Sequence, residues 1–394
     1  MPNMAGLPPQ QLESAELGRR IRQRREKLHM TVQQLAKRLG LSRNTIANYE
    51  AGRTAPTANE LLLLAGALGC TIEELLCPPA EFRPARFAFR AHAALRKNPE
   101  VLAIAKGYLR AYREIEMILN VRLPPKQVPV DLPEDQALDA QYIESVAAEL
   151  RRKSGIQEAG PENIACVLES LGIGTVFFNY QLKGLDAITV VQDDFILVML
   201  SDRKRLVERT VFSAAHELGH IVLHPFLFTT ENEADNDDVK RWEKQADKFA
   251  GDFLVPRDQL VALWKQERLD KLPLFHALVL LKRTFRVSFH CLYYRVTELG
   301  LHRERNYSSF IAQVKKQLGV TGPAKMEDLE PEPLPAETLY RTTRFDRLVR
   351  SAFLQGLIGV SKVAEMFHIP VDEAKQMTAE WLNPRHELVA HSDI

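Results

Sequence analysis

The segment "FSAAHELGHIVLHP", Phe212 to Pro225, sets His216, Glu217, His220 and His224 within nine positions of an otherwise apolar run. On a helix, residues four apart share a face, so the imidazoles of His216 and His220 can bind one metal ion while Glu217 reaches a water held there. HExxH is the signature of zinc hydrolases. Zinc lowers the pKa of its water to roughly 7, and a glutamate base can take that proton as hydroxide attacks a peptide carbonyl. A five-residue pattern also arises by chance in a long chain, so a third ligand is required. The segment "WEKQADKFAGDFLVP" offers one: Glu243 and Asp247 are again four apart, so Glu243 can complete a His, His, Glu set. Asp247 can then accept the free ring proton of a ligand histidine. His224, one turn beyond His220, is open to three readings: a fourth ligand, an oxyanion donor, or an interfacial histidine.

A second chemistry lies far upstream. Between Ala15 and Glu60 there are ten Arg or Lys residues against four glutamates, an excess that suits an anionic partner. Within it, "TVQQLAKRLGLSRNTIANYEAG" reads as a helix from Thr31 to Leu39, a turn at Gly40, and a second helix capped by Ser42. Leu35, Ala36, Leu39, Leu41 and Ile46 would pack the two helices together. Arg43, Asn44 and Asn48 would then face outward near the start of the second helix, where Arg and Asn suit guanine and adenine edges in a major groove. Arg38, Arg53 and Thr54 are placed to hold phosphate. The competing reading is a plain helical bundle with a solvated basic face.

The elements that must position these residues follow from hydrophobic spacing and breakers. Of 394 residues, 45% are hydrophobic and 26% charged, enough for two or three ordinary cores and too regular for disorder. Cys70, Cys77, Cys166 and Cys291 lack CxxC spacing, so reduced thiols and a cytoplasmic protein are expected. Residues 1–10 have no basic start or apolar core, so no signal peptide is expected, and no run spans a bilayer. Residues 17–76 read as about five compact helices. "HAALRKNPEVLAIAKGYLRAYREIEMIL" carries a helical stripe of Leu102, Ala105, Leu109, Tyr112, Ile115 and Leu119 and reads as a connecting helix or dimerisation arm. Two helices from Gln141 lead to three strand-like runs, "GTVFFNY", "LDAITVV" and "DFILVML", just before the histidine helix. The last of these, Phe195 to Leu200, is expected to be the edge strand along which an extended substrate lies. The predicted architecture is therefore multidomain: an all-α helix-turn-helix domain at 15–78, a helical linker at 79–140, an α+β zincin-like domain with a small sheet at 141–300, and a helical C-terminal module at 301–394.

Over 17–76, "QQLAKRLGLSRNTIANYEAGRTAPTANELLLLAGALGCTIEELL" resembles the Cro/C1-type (XRE) helix-turn-helix family, with Val32 standing where that family often has glutamine. Residues 141–295 resemble the ImmA/IrrE metallopeptidases, whose pattern is HELGHxxxH followed by ExxAxxFAxxLLMP. Here Val255 replaces the methionine, while Phe249 and Pro256 are kept. That resemblance implies His216, His220 and Glu243 as Zn2+ ligands and Glu217 as the base, and the two families are known to be fused in this order. It implies a homodimeric regulator that binds a double-stranded DNA operator and a peptidase that cleaves an XRE-type repressor, an antitoxin, or its own chain. The alternative is a transcription factor whose zincin domain senses a ligand or stress without hydrolysis. "FDRLVRSAFLQGLIGVSKVAEMFHIPVDEAKQM" resembles the tail of such fused regulators, and its 357–371 part reads as a degenerate second helix-turn-helix, used for packing or dimerisation rather than for DNA.

Overall fold

A computed structural model describes residues 9–28, 30–70, 72, 75, 86–87, 99–124, 138–157, 160–161, 163–178, 186–201, 206–228, 236–303, 306–324, 326–335 and 342–383. The chain divides into two compact units, residues 1–83 and 84–394.

In the first unit, α1 (Pro9–Lys27), α2 (Val32–Leu39), α3 (Arg43–Glu50) and α4 (Ala58–Leu68) enclose Ile21, Leu35, Ile46, Leu64 and Leu75. The helix boundaries follow from local chemistry. Thr31 caps α2 in a reciprocal box with Gln34, so the helix begins at Val32, and Gly40 ends it in the left-handed region at φ 68°. The Ser42 hydroxyl accepts from the Thr45 amide at 3.0 Å and starts α3. Gly18 lets α1 lie against α3, since a Cβ there would run into the Tyr49 carbonyl. Two of the basic residues turn out to be structural. Arg25 clasps Glu50 at 2.6 and 2.9 Å and donates to the Met30 carbonyl at 2.7 Å, while Arg20 donates to the Leu75 carbonyl at 2.8 Å.

The second unit is organised by one small sheet of β1 (Arg86–Phe87), β2 (Gly174–Phe178), β3 (Ala187–Gln192) and β4 (Phe195–Ser201), in the order β1-β3-β4-β2. Strand β4 pairs parallel with β2 and antiparallel with β3, and all seven of its residues are buried. The expectation that Phe195 to Leu200 forms an edge is therefore overturned. An unbroken apolar run marks a strand covered on both faces, which belongs inside a sheet. Its alternating side chains feed two cores: Ile196, Val198 and Leu200 join one, and Phe195, Leu197 and Met199 the other.

The first core contains the helices around the histidines: α6 (Ala140–Lys153), α7 (Ile164–Ser170), α8 (Val207–Leu223), α9 (Asn236–Leu254), α10 (Arg257–Gln266), α11 (Leu274–Phe285), α12 (Phe289–Glu298) and α13 (Tyr307–Leu318). On the opposite face, α5 (Pro99–Ile118) lies with α14 (Arg344–Leu354), α15 (Val360–Phe367) and α16 (Val371–Leu382). The stripe read as a connecting helix is thus a core stripe. Tyr112 meets the Phe195 ring at 5.2 Å and the Phe345 ring at 5.4 Å, and Arg344 donates to Glu116 at 2.7 Å. The region 301–394 is likewise shared between the two faces: Phe310 and Val314 join the histidine core, whereas Phe345, Val349 and Met366 join the other. Among the described residues no helix is long and apolar enough to cross a membrane.

Candidate functional site

Helix α8 buries Val211, Ala214, Ala215, Leu218 and Val222 and turns its histidine face toward α9. The two helices can approach because position 219 is glycine: a Cβ there would sit 3.1 Å from the Phe249 ring and 3.2 Å from the Ala246 backbone. That approach brings the His216 and His220 rings to Glu243. Glu243 lies 3.3 Å from each Nε2, one carboxylate oxygen to each ring. One potential ligand atom from each of His216, His220 and Glu243 falls within 4.8 Å of the others.

The other ring nitrogens define which atoms face the gap. His216 Nδ1 is 2.8 Å from Asp247 Oδ1, so a proton on Nδ1 leaves the Nε2 lone pair pointing inward. His220 is oriented through a longer chain. The Gln245 amide nitrogen donates to the Leu138 carbonyl at 3.3 Å, which leaves Gln245 Oε1 to accept from His224 Nε2 at 3.0 Å. His224 Nδ1 must then be the acceptor, 3.1 Å from His220 Nδ1, and His220 Nε2 carries its lone pair into the same gap. His224 is fully buried and stands outside the converging set, so its role here is to hold a ring rather than to meet solvent. Burial above all, with the imidazole of His220 alongside, pushes its pKa down to about 3, which keeps it neutral as this chain requires.

Two imidazole lone pairs 3.0 Å apart, facing two carboxylate oxygens, repel one another unless a positive charge sits among them. In the metal-free protein a proton supplies it. Burial alone would lower the His216 pKa, but hydrogen bonds to Asp247 and Glu243 outweigh it and push the group to about 10. Burial likewise opposes ionisation of Glu243, yet the two histidines hold it well below the usual carboxylate range. Two nitrogens and a carboxylate on one side of a gap are the donor set of an open zinc site, so the residues fit that ion.

Glu217 points from the same turn and is held by the Thr189 hydroxyl, which donates to its Oε2. Thr189 is buried on β3, whose partner β1 pairs with Val190 and Val191. Neither Thr189 nor Gln245 is marked by any motif. Thr189 is visible only as a polar position in an apolar run, and Gln245 only as the glutamine between Glu243 and Asp247.

In the first unit, Arg38, Arg43, Asn44, Arg53 and Thr54 are exposed and Asn48 is half-buried. Arg43 and Asn44 occupy the first turn of α3, where helix geometry leaves side chains free to reach into a groove.

Comparison with known proteins falls on the same two stretches. Residues 21–75 match the helix-turn-helix family model, and residues 168–297 match that of the M78 peptidase family, the IrrE N-terminal-like domain. No protein of curated function matches the chain. Among solved structures, the P22 c2 repressor in complex with synthetic operator 9T is 39% identical, over 16% of this chain and 92% of its own, with a TM-score of 0.15. PlcR of Bacillus thuringiensis, in complex with the peptide PapR7 and DNA, is 12% identical over 94% of this chain and 99% of its own, with a TM-score of 0.17. ComR from Streptococcus suis is 13% identical over 93% and 96%, with a TM-score of 0.16. At such TM-scores the structural likenesses carry no weight, and the assignment rests on the two family matches.

Proposed function

Starting from a chain that carries a helix-turn-helix domain and an IrrE N-terminal-like peptidase domain, we propose a DNA-binding transcriptional regulator with a built-in zinc metallopeptidase. The observation that carries the reading is the convergence of His216, His220 and Glu243 beside a glutamate, Glu217, held in place by Thr189. His216, His220 and Glu243 would hold one zinc ion, which when bound polarises a carbonyl and acidifies water. Glu217 takes the proton of the attacking water and returns it to the departing amide nitrogen; the Thr189 bond occupies one carboxylate oxygen and leaves the other for this transfer. Asp247 keeps its proton bond to His216, and the His224 and Gln245 chain does the same for His220, so neither ring turns during the cycle.

A substrate must lie extended above Glu217 for its carbonyl to meet these groups. With β4 inside the sheet, the strand beside Glu217 is β3. Among the described residues its outer edge is paired at Val190 and Val191 by β1, and Ala187 to Thr189 lie beyond that pairing. A peptide added there would gain main-chain hydrogen bonds next to the base. The cleaved protein is a cognate XRE-type repressor, an antitoxin, or this chain itself, and the reader domain binds its duplex operator as a homodimer through Arg43, Asn44 and Asn48. Arg38, Arg53 and Thr54 hold the phosphates on either side.

The test is intact-mass analysis of candidate repressors after incubation with the zinc-loaded protein and with Glu217→Gln. Cleavage by the wild type alone supports the reading. Cleavage by both removes Glu217 from the chemistry. Relief of repression in cells by Glu217→Gln as strong as by the wild type would make hydrolysis irrelevant to the signal.

A further inference from the structure

A cleft of about 570 Å³ opens beside the candidate metal centre, between α8, α9 and α12. It begins one hydrogen bond from a metal ligand, because Asp247 is both a wall of the cleft and the partner of His216 at 2.8 Å. Burial orders its depth. Asp247, Lys244 and Tyr294 are exposed and form the mouth, whereas Glu208, Glu330 and Cys291 are buried and form the inner end. Phe212, one turn before His216, and Gly251 line the passage between them. A side chain at position 251 would narrow it: a Cβ there would already lie 3.2 Å from the Arg295 stem.

The inner end sets two carboxyl groups around one ammonium, and burial pushes the Glu330 carboxyl up to about 7. Lys282 serves two carboxylates at once: it bonds Glu208 Oε1 and lies 3.3 Å from Glu330 Oε1. The remaining oxygen of Glu208, Oε2, is buried without a hydrogen-bond partner among the described residues, and the residue lines the cleft. Such an oxygen is costly unless a donor comes to it. Of the other cations lining the cleft, Arg295 bonds Asp252 at 2.7 Å and Glu298 at 2.5 Å, Lys248 bonds Asp252 at 2.6 Å and Glu298 at 2.9 Å, Arg209 bonds Asp186 at 2.7 Å, and Lys244 stands exposed at the mouth. The cleft therefore ends at two buried carboxyl groups that share one ammonium, with Glu208 Oε2 left without a donor among the described residues.

We propose that this cleft receives the lysine or arginine side chain of a peptide lying across the metal centre, with the aliphatic stem along Phe212 and Tyr294 and the cationic tip at Glu208 and Glu330. The assignment rests on the peptidase reading for the source of the cation, and it makes the substrate class one with a basic residue beside the scissile bond. The chemistry alone, an ammonium on a short aliphatic stem, also describes a free amine.

The full-length, zinc-loaded Glu217→Gln protein is immobilised and offered a random octapeptide pool, and retained peptides are sequenced by mass spectrometry. Lysine and arginine are expected to be enriched at one position by about 10 to 100-fold, the worth of a charge-assisted hydrogen bond. The enrichment should vanish in Glu208→Gln. Because Glu208 also accepts from the Leu334 amide, the same loss is sought in Glu330→Gln, which keeps its acceptor for the Phe289 amide. No enrichment, or enrichment indifferent to both substitutions, overturns the assignment. So does a cleft that binds n-butylamine while showing no basic preference among peptides. The wild-type protein, run against the same pool, separates the two ideas. Cleavage without basic preference sinks the cleft and keeps the peptidase, whereas basic selection without cleavage keeps the cleft and removes the peptidase.

Discussion

The helix-turn-helix at Val32–Glu50 has a backbone counterpart near the other end of the chain, at Val360–Leu382. In each, an eight-residue helix ends at a left-handed residue, Gly40 at φ 68° or His368 at φ 55°, and a new helix starts three residues later. Even the turn bonds agree: the Leu41 amide reaches the Ala36 carbonyl at 3.0 Å, and the Ile369 amide reaches the Ala364 carbonyl at 3.0 Å. The surfaces do not agree. Exposed Arg43 and Asn44 at the start of the first recognition helix correspond to Val371 and Asp372, and Thr45 to Glu373. Carboxylates there suit the helix dipole but repel phosphate. Exposed Arg38 corresponds to Met366, which is fully buried against the core of α5 and α14. The Tyr108 hydroxyl donates to the Phe367 carbonyl at 3.0 Å, and Lys362 pairs with Glu114 at 2.6 Å, fixing the copy to α5. One backbone plan thus presents Arg and Asn at the exposed start of its second helix in one copy and Asp and Glu at the exposed start in the other, where the first helix is packed into a core.

The two copies sit on separate cores, one around Leu35 and the other around Met366. Leu35→Ala should cost about 2 to 5 kcal/mol, and so should Met366→Ala, because each deletes a fully buried side chain. The first should abolish operator binding and leave zinc uptake unchanged, and the second should lower the unfolding midpoint of the second unit and leave operator binding intact. Calorimetry alongside fluorescence anisotropy distinguishes them; a shared loss would show that the units are not independent.

Next come the surfaces themselves. Arg43→Ala should cost about 1 to 3 kcal/mol at one base position and relax specificity there, while Asp372→Ala should change neither affinity nor footprint. A footprint altered by Asp372→Ala would make the C-terminal copy a second reader after all.

The candidate metal centre, which lies between the two copies in sequence, should give effects of similar or smaller size. Asp247→Ala should weaken zinc binding by about 10 to 100-fold, and Gln245→Leu by about tenfold, since each frees one ligand ring to turn. Zinc must also displace the proton that His216 holds with a pKa pushed up to about 10. Its apparent affinity should therefore rise with pH, by about tenfold per unit for one proton released, over the range below that value. Chelator competition between pH 6 and pH 9 reads this slope, and a flat profile would mean that no proton is displaced.

The smallest effect concerns the turns. Gly40→Ala should cost about 1 kcal/mol, because its left-handed φ strains any Cβ although no atom lies within 4 Å of one. His368 already tolerates that conformation and has the Tyr108 ring at 4.6 Å. Denaturant midpoints for Gly40→Ala and His368→Gly compare the two turns; the second should gain nothing, because what glycine relieves in the backbone it loses in ring contact.

Much of the site was legible because its chemistry is local. Four-residue spacing places His216 with His220, and Glu243 with Asp247, on single helix faces, and the caps Ser42 and Gly40 announce a turn. What was not legible depends on partners distant in the chain. Strand order is not written in a strand, so Phe195 to Leu200 reads as an edge until β2 and β3 are seen on either side. A stripe such as Ala105, Leu109, Tyr112 and Ile115 says that something covers it but not what. Arg20 and Arg25 count toward a basic face in the sequence, yet both are spent inside the fold. The orientation of His220 passes through His224 and Gln245 to the carbonyl of Leu138, a route that no spacing rule anticipates.

The peptidase reading of the second unit depends on a metal at the meeting point of α8 and α9. Elemental analysis after zinc reconstitution and exhaustive dialysis tests it directly. One zinc per chain is expected for the wild type and for Glu217→Gln, and essentially none for Glu243→Ala. A wild-type protein without stoichiometric metal, or a Glu243→Ala variant that keeps it, would contradict the account.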